Sequence, residues 1–266
     1  MNSDSYFEIG NAHQVCQDYA LAGNYKDMYY GIVSDGCSSA EHSEIGAQIL
    51  CHVAQYNLQL HYDLFVENIK YATLMSLLGN SILRRADELR KLYPISSDAL
   101  QATLLMAVVI KGRFWLFGWG DGYFILKEAD QQLIIKIDYP KTNAPFYLCT
   151  DRLAYLNKHG AEAVVRTISI RDGKEGPALD SPFDVPYFES AALGQENTIS
   201  IMTDGLGQYL DREKKPITDL TLVPLIIDYP STEGVFVERT MNFLKKDLIR
   251  KGWTHTDDIG IATIVA

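Results

Sequence analysis

The stretch that decides the fold is NTISIMTDGL, residues 197–206. It begins as a short apolar run rich in β-branched side chains, and it breaks at Asp204-Gly205. A buried strand that ends on a carboxylate and a flexible turn places one negative charge at the edge of a sheet. The pattern recurs where residues 29–33 run into Asp35-Gly36, where residues 114–119 run into Asp121-Gly122, and where Asp257-Asp258 opens the apolar run 259–265. The sequence therefore predicts four carboxylate sites at sheet edges.

The other predicted elements form neither a repeat nor a regular alternation of strand and helix. A first helix has Ser38 or Ser39 as its N-cap and an apolar face at four-residue spacing. A second helical region spans residues 64–92, with Gly79-Asn80 as an interruption, and a late helix spans residues 231–250. Strands at both ends and in the middle, separated by helices, predict the α+β class.

The middle of the chain changes to the period of strands. Short polar connections separate four apolar runs, which are residues 102–110, 114–119, 123–126 and 133–137. These runs predict an antiparallel meander in which Asp121-Gly122 is a simple turn. Residues 140–186 are rich in Pro, Gly and Asp, and they predict short strands and loops beside the sheet edge.

Length and composition favour one domain over residues 1–266. A chain of 266 residues with 47% hydrophobic residues can bury one substantial core, and no Pro/Gly/Ser-rich linker divides it. The formal charge of −10 argues against a nucleic-acid surface. The cysteines show no CxxC pairing, and no stretch has the pattern of a signal peptide or the apolar length of a membrane helix. We therefore expect a cytoplasmic protein that binds neither nucleic acid nor membranes.

The predicted carboxylates suit hard divalent cations. Aspartate and backbone carbonyl oxygens are the ligands that Mg²⁺ and Mn²⁺ prefer. If Asp35, Asp204 and Asp257 converge, with the Gly36 carbonyl alongside, their mutual repulsion must be offset by cations. Two ions about 4 Å apart can activate a shared water for in-line attack on a phosphate ester. The competing interpretation is that each Asp-Gly pair is only a turn between strands.

Six blocks of the sequence carry a resemblance to a known family. They are HQVCQDY from His13, GIVSDGCSSAEHSEIGA from Gly31, ATLLMAVV from Ala102, FGWGDGYFIL from Phe117, SIMTDGL from Ser200 and TDDIGIATIVA from Thr256. In this order and spacing they are similar to the metal-dependent type 2C (PPM-type) Ser/Thr protein phosphatases, and to bacterial members in particular. The resemblance implies two antiparallel β-sheets sandwiched between helical layers.

The resemblance also implies a ligand set for two divalent cations, Mg²⁺ or Mn²⁺. Asp35 would bridge the two ions, and the Gly36 carbonyl would bind one of them. Asp204 and Asp257 would complete the coordination of the other ion. Asp35 is therefore expected to be both a metal ligand and a catalytic residue.

Four further positions receive expected roles from the resemblance. Asp18 would hold a water bound to a metal ion, so it is expected to be both a metal ligand and a catalytic residue. Asp121 corresponds to an acid linked to a third, weaker ion in some members. His13 stands where the family has a phosphate-binding arginine, so we expect it to bind substrate and assist catalysis with a pH-dependent charge. Cys37 stands where many animal members have a histidine, and it is also expected to contact substrate. A cysteine phosphatase would need an arginine six positions after the thiol, where this chain has Ser43.

Two functions of different classes are compatible with these residues. The first is a hydrolase that cleaves phosphoserine or phosphothreonine esters of a protein through a water activated by two metal ions. The second is a catalytically silent domain that keeps the fold and binds a partner such as a kinase or a phosphoprotein. Retention of the acids favours the enzyme, because a silent domain has no need of repelling carboxylates. Because His13 and Cys37 replace an arginine and a histidine found in family members, the catalytically silent domain stays the alternative.

Overall fold

The structure, a computed structural model, describes residues 1–67, 69–128, 131–142, 144–160, 162–194 and 197–266. The strands are β1 (Asn2–Glu8), β2 (Asp18–Tyr25), β3 (Met28–Asp35), β4 (Leu104–Ile110), β5 (Arg113–Trp119), β6 (Gly122–Glu128), β7 (Gln131–Asp138), β8 (Val164–Arg171), β9 (Lys174–Glu175), β10 (Leu179–Pro182), β11 (Tyr187–Ala192), β12 (Asn197–Met202), β13 (Tyr209–Leu210), β14 (Thr254–His255) and β15 (Ile259–Val265). The helices are α1 (Ser43–Leu60), α2 (Tyr62–Val66), α3 (Tyr71–Arg90), α4 (Arg152–His159), α5 (Asp219–Ile226) and α6 (Phe236–Lys251). Short 3₁₀ helices lie at Ser97–Leu100 and Asp204–Gln208.

The strands form two large antiparallel sheets and one small one. The first sheet has the order β1-β15-β12-β6-β7-β8-β10, with β9 paired to β8, and the second has the order β11-β5-β4-β3-β2. The third consists of β13 and β14. The two large sheets pack face to face, with α1 and α3 on the outer face of the second sheet and α5 and α6 on the outer face of the first. This layering confirms the predicted α+β class and the two sheets between helical layers.

Each central strand divides its side chains between two hydrophobic cores. In β15, Ile259 and Ile261 pack with residues of α5 and α6, whereas Ala262 and Ile264 pack between the two sheets. Alternate side chains of a strand point to opposite faces of its sheet, so both faces of this strand are covered. Similarly, β4 is buried along its full length at the centre of the second sheet. Its uninterrupted apolar sequence is what a strand covered on both faces requires.

Two predicted helix features are wrong, and local packing explains the second. The N-cap of α1 is His42, in a left-handed conformation with φ of 63°, so neither Ser38 nor Ser39 caps the helix. The second helical region does not break at Gly79, because α3 is continuous there. A side chain at Gly79 would lie 3.2 Å from the Trp119 ring. This glycine therefore allows close packing of helix on sheet, and the break lies between α2 and α3.

The predicted meander is wrong in one respect, because it crosses from one sheet to the other. β4 and β5 pair in the second sheet, whereas β6 and β7 pair in the first. The connection at Asp121 is therefore a crossover between sheets and not a simple turn. Gly120 and Gly122 flank it with φ of 100° and 132°, values that glycine adopts at little cost. The crossover holds Asp121 where the two sheets meet.

Two short helices are absent from the prediction because neither has a recognisable apolar stripe. α4 lies within residues 140–186, and Tyr155 is its buried residue. α5 is apolar on most of its surface and contains Pro224, which disfavours a helix from sequence alone. Among the described residues, no helix combines the length and the apolar character needed to cross a membrane.

Candidate functional site

Five acidic residues from separate elements meet where the two large sheets come together. Asp18 opens β2 and is the register partner of Asp35, the last residue of β3. Asp121 lies in the crossover between β5 and β6. Asp204 lies two residues after the end of β12, and Asp257 lies two residues before the start of β15. We refer to these five residues as the acidic cluster. The chain thus brings together the carboxylates that sequence analysis predicted at strand ends, together with Asp18.

Burial and mutual repulsion dominate the electrostatics of the acidic cluster. Asp35 interacts electrostatically with Asp18 and Asp204, its neighbours in the acidic cluster. Burial, reinforced by neighbouring negative charges, raises the pKa of Asp18, Asp35 and Asp121 well above its usual range. Burial and the charge of Asp257 raise the pKa of Asp204 to about 6. Without a bound cation, the cluster therefore keeps protons that exposed aspartates would release.

The donor chemistry of the acidic cluster fits hard divalent cations. All its side-chain donors are carboxylate oxygens, and two carboxyl groups in contact require a proton or a cation between them. Within the described part of the chain, no group of three or more His, Cys, Asp or Glu side chains has an arrangement that could hold a metal ion. Binding of a cation would therefore require the carboxylates around Asp35 to reorient.

A threonine from the first sheet fixes Asp18. The Thr203 hydroxyl donates to Asp18 Oδ2 at 2.5 Å and accepts from the Gly260 amide at 2.8 Å. Thr203 and Asp18 are almost completely buried, with exposed fractions of 0% and 3%. Because Asp18 lies in the second sheet and Thr203 follows a strand of the first, this bond joins the two sheets. The sequence alone predicts no role for Thr203.

A second threonine fixes the backbone of Asp35. The Asp35 amide donates to Thr103 Oγ1 at 2.9 Å, and the Thr103 amide donates to the Asp35 carbonyl at 2.8 Å. Ser34 Oγ in turn donates to the Thr103 carbonyl at 2.5 Å. This reciprocal pairing connects the end of β3 to the residue that precedes β4. It holds the strand end that carries Asp35 in one position.

Asp258, to which sequence analysis assigned no role, organises the loop before β2. It is 2% exposed and accepts from the backbone amides of Gly10 at 2.7 Å and Gln17 at 2.5 Å. His13 lies between the two neighbouring acids, with Nδ1 3.0 Å from Asp258 Oδ2 and Nε2 3.5 Å from Asp257 Oδ1. Its interaction with Asp258 raises the pKa of His13. His13 is therefore already engaged by two carboxylates, and phosphate binding by its ring stays a prediction.

We expect Asp258→Ala to destabilise the protein by about 3 kcal/mol, since the buried amide of Gly10 and the partly buried amide of Gln17 would lose their carboxylate acceptor. Urea unfolding of the metal-free protein measures this loss as a lower midpoint. Asp257→Ala is the matched control, because the Asp257 side chain is 36% exposed and its effect should stay below about 1 kcal/mol. Equal destabilisation by both variants would contradict the proposed role of Asp258.

The acidic cluster opens into a cavity of about 1010 Å³. Every predicted site residue except Asp18 lines this cavity, namely His13, Asp35, Gly36, Cys37, Asp121, Asp204 and Asp257. Asp18 lies behind this wall, where it is buried. Residues of α3 and α4, including Arg84 and Lys158, line other parts of the cavity. A volume of this size accommodates a whole ligand and not only a single ion.

Cys37 lies in the cavity wall directly after the Asp35-Gly36 pair. Its Sγ is 3.2 Å from Ser39 Oγ. Burial alone would raise the pKa of this thiol, but hydrogen bonds from Ser39 and Tyr147 lower it. Ser43 is the first residue of α1 and accepts a hydrogen bond from Gln17, so this position serves helix packing and not phosphate binding. The surroundings of Cys37 therefore do not form the arginine-containing loop of a cysteine phosphatase.

The fold has solved relatives. A serine/threonine phosphatase from S. agalactiae superposes with a TM-score of 0.56 at 12% identity, covering 98% of this chain and 97% of that one. A bacterial serine phosphatase superposes with a TM-score of 0.60 at 11% identity, and the match covers 100% of this chain and 98% of that one. PppA, described as a key regulatory component of the type VI secretion system in Pseudomonas aeruginosa, gives 0.55 at 12% identity, with coverage of 99% and 97%. At these identities the likeness establishes the fold alone.

Sequence comparison gives the family. No curated protein matches the chain. The family model described as "Protein phosphatase 2C" matches residues 10–235, which include every predicted site residue except Asp257. By this match over most of its length, the chain belongs to the protein phosphatase 2C family.

Proposed function

We propose that this protein is a metal-dependent protein phosphatase that hydrolyses phosphoserine and phosphothreonine esters. Family membership supports a phosphatase-type function in general. The observation that carries the more specific proposal is the convergence of five aspartates from both sheets beside one cavity. Such a cluster is costly for folding, because burial and repulsion oppose the charged state of its members. A reaction that depends on bound cations explains why the chain would keep a cluster that is unfavourable for folding.

Asp35, the Gly36 carbonyl, Asp204 and Asp257 would hold two divalent cations, Mg²⁺ or Mn²⁺, and Asp121 would support a third, weaker ion. When bound, these ions would supply positive charge to the phosphate and lower the pKa of water. Asp18, fixed by Thr203 at the buried end of the site, would accept a hydrogen bond from the attacking water. His13 would counter the charge of Asp257 and Asp258 beside the incoming phosphate.

The proposed partner is a phosphorylated protein, and a Ser/Thr kinase that makes this phosphoprotein is a second proposed partner. The cavity provides room beyond the phosphate between the acidic cluster and the two helices α3 and α4. Both cationic and anionic side chains line this region, including Arg84, Lys158 and Asp98. A mixed polar surface of this kind suits a peptide segment better than an apolar ligand. We place this activity in the cytoplasm.

The second candidate is a binding domain without catalysis. It draws support from the lack of a finished metal ligand set among the described side chains. The enzyme accounts for more of the structure, since a domain that only binds would not need two acids, Asp18 and Asp35, side by side at the ends of paired strands.

Hydrolysis assays separate the two candidates. We expect the purified protein to release phosphate from a phosphothreonine peptide and from p-nitrophenyl phosphate when Mn²⁺ is added, and to stop when EDTA removes it. Far-UV circular dichroism in EDTA shows whether the protein stays folded. A folded protein without turnover over a wide range of Mn²⁺ and Mg²⁺ concentrations would favour the binding domain.

A further inference from the structure

The 3₁₀ helix Asp204–Gln208 carries one member of the acidic cluster, and the segment that carries another member holds its end. The amide and the hydroxyl of Thr256 both donate to the Gln208 carbonyl, each at 3.2 Å. Asp257 is the next residue in the chain. These two hydrogen bonds therefore tie the helix that begins at Asp204 to the segment that carries Asp257.

A tyrosine and an aspartate contact the same 3₁₀ helix from the outer face of the first sheet. The Tyr123 hydroxyl donates to Asp219 Oδ2 at 3.0 Å, and Lys136 Nζ lies 3.5 Å from the same oxygen. A Cβ atom at Gly207 would lie 3.1 Å from the Tyr123 hydroxyl oxygen and 3.8 Å from Asp219 Oδ1. The hydrogen-bonded pair of Tyr123 and Asp219 therefore packs directly against the backbone of the helix that begins at Asp204.

Both members of this pair lie in regular elements. Tyr123 lies in β6, is 1% exposed, and is the register partner of Met202, the last residue of β12. Asp219 is the first residue of α5, and its side chain is 16% exposed. A satisfied hydrogen bond between a strand and a helix in the interior is rigid, so it gives the backbone at Gly207 a fixed surface to lie on.

Core packing alone does not account for the Tyr123 hydroxyl. A phenylalanine at this position would bury the same ring without a polar atom, and burial of a hydroxyl is unfavourable unless it is hydrogen bonded. The hydroxyl contacts Asp219 and the backbone at Gly207, and it therefore contributes to the position of the 3₁₀ helix.

On the basis of the proposed phosphatase function, we infer that Tyr123 and Asp219 are positioning residues that fix the backbone from which Asp204 would bind a divalent cation. Neither residue is among the described residues that line the cavity, so both act through the 3₁₀ helix and not on the substrate. A ligand on a fixed backbone loses less conformational freedom when the cation binds. Residues that support a metal ligand in this way contribute to the affinity for the metal.

Isothermal titration of Mn²⁺ into the metal-free protein tests this inference without relying on turnover. We expect Tyr123→Phe to weaken Mn²⁺ binding by about 10-fold, as loss of a residue that supports a metal ligand does. Asp219→Ala should weaken binding by the same factor, and the double variant by no more than either single variant, because both changes remove the same hydrogen bond. The Mn²⁺ concentration for half-maximal turnover should rise in parallel, and saturating Mn²⁺ should restore kcat.

Tyr229→Phe is the matched control for loss of a tyrosine hydroxyl from the outer face of the same sheet. The Tyr229 hydroxyl lies 2.9 Å from Thr263 Oγ1, and its ring packs on Phe236 at the start of α6. We expect the control and Tyr123→Phe to lower the midpoint of urea unfolding in EDTA by similar amounts, because each loses one hydrogen bond. The control should leave Mn²⁺ affinity unchanged.

Three results would overturn the assignment while leaving the phosphatase proposal intact. They are unchanged Mn²⁺ affinity in Tyr123→Phe, equal weakening of Mn²⁺ binding in Tyr229→Phe, and additive losses in the double variant. If circular dichroism shows that Tyr123→Phe does not fold, Asp219→Ala decides alone, and unchanged affinity in that variant overturns the assignment. Absence of both Mn²⁺ binding and turnover in the parent protein would defeat the proposed function and this assignment with it.

Discussion

We expect Asp35→Asn to lower Mn²⁺-dependent hydrolysis of p-nitrophenyl phosphate by more than about 100-fold, because even residues that only support metal ligands cost 10- to 100-fold when replaced. The charges of Asp18, Asp204 and Asp121 all act on Asp35, so Asp35 holds the central place in the acidic cluster. The amide is nearly the same size but carries no charge, so it cannot balance two cations. The measurement is kcat/KM at saturating Mn²⁺, together with isothermal titration of Mn²⁺.

Asp98→Asn is the control for loss of negative charge in the same cavity. Asp98 lines the cavity from a 3₁₀ helix and is exposed. Its replacement should change kcat/KM by less than about threefold, because a solvated charge contributes little. Mn²⁺-dependent turnover that survives in Asp35→Asn would contradict the proposed ligand set.

The second large effect concerns stability without metal, which we expect to fall as pH rises from about 4 to about 7. An unfolded aspartate loses its proton near pH 4, whereas burial and Asp257 hold the pKa of Asp204 at about 6. Between these values the folded protein binds more protons than the unfolded chain, so each step upward in pH costs stability. A shift of about two pKa units corresponds to roughly 3 kcal/mol, or a melting temperature lower by about 10 °C. Asp18, Asp35 and Asp121 are shifted in the same direction and add to the loss.

Added Mn²⁺ should remove most of this pH dependence, since bound cations replace the protons. Melting temperatures measured with Mn²⁺ and with EDTA at about pH 5 and about pH 7.5 give the difference that isolates the acidic cluster from other titrating groups. We expect stabilisation by Mn²⁺ to be larger at the higher pH, where fewer protons compete. Asp204→Asn should be more stable than the parent protein in EDTA and gain less from Mn²⁺. An identical response to Mn²⁺ at both pH values would show that the cluster does not bind the cation.

Most strands, and the positions of Asp35, Asp204 and Asp257 at or next to strand ends, could be predicted because each rests on a local signal. An apolar run rich in β-branched residues, followed by Asp-Gly, marks both the strand and the edge where its carboxylate lies. The pairing of β6 could not be predicted in this way. Its partner β12 lies far along the chain, and β6 is as apolar as β5, so the sequence pattern does not distinguish the two sheets. The turn predicted at Asp121 therefore proved to be a crossover.

The parts of the site that escaped prediction depend on contacts between distant segments. Asp257 and Asp258 are adjacent and chemically identical, yet one lines the cavity and the other accepts amides from the loop before β2. Nothing in an acidic doublet says which member will be buried. Thr203 precedes Asp204 and looks like the end of a strand, and its bond to Asp18 becomes apparent only when the two sheets are packed.

The hydrogen bond between Thr203 and Asp18 has a consequence for the lifetime of the protein in the cell. Thr203 belongs to one sheet and Asp18 to the other, so a partly folded chain with a single sheet would hold only half of the proposed ligands. A cation would then bind only the completed molecule and would favour it by mass action. The supply of divalent metal would therefore govern resistance to proteolysis and cellular abundance as well as turnover of substrate.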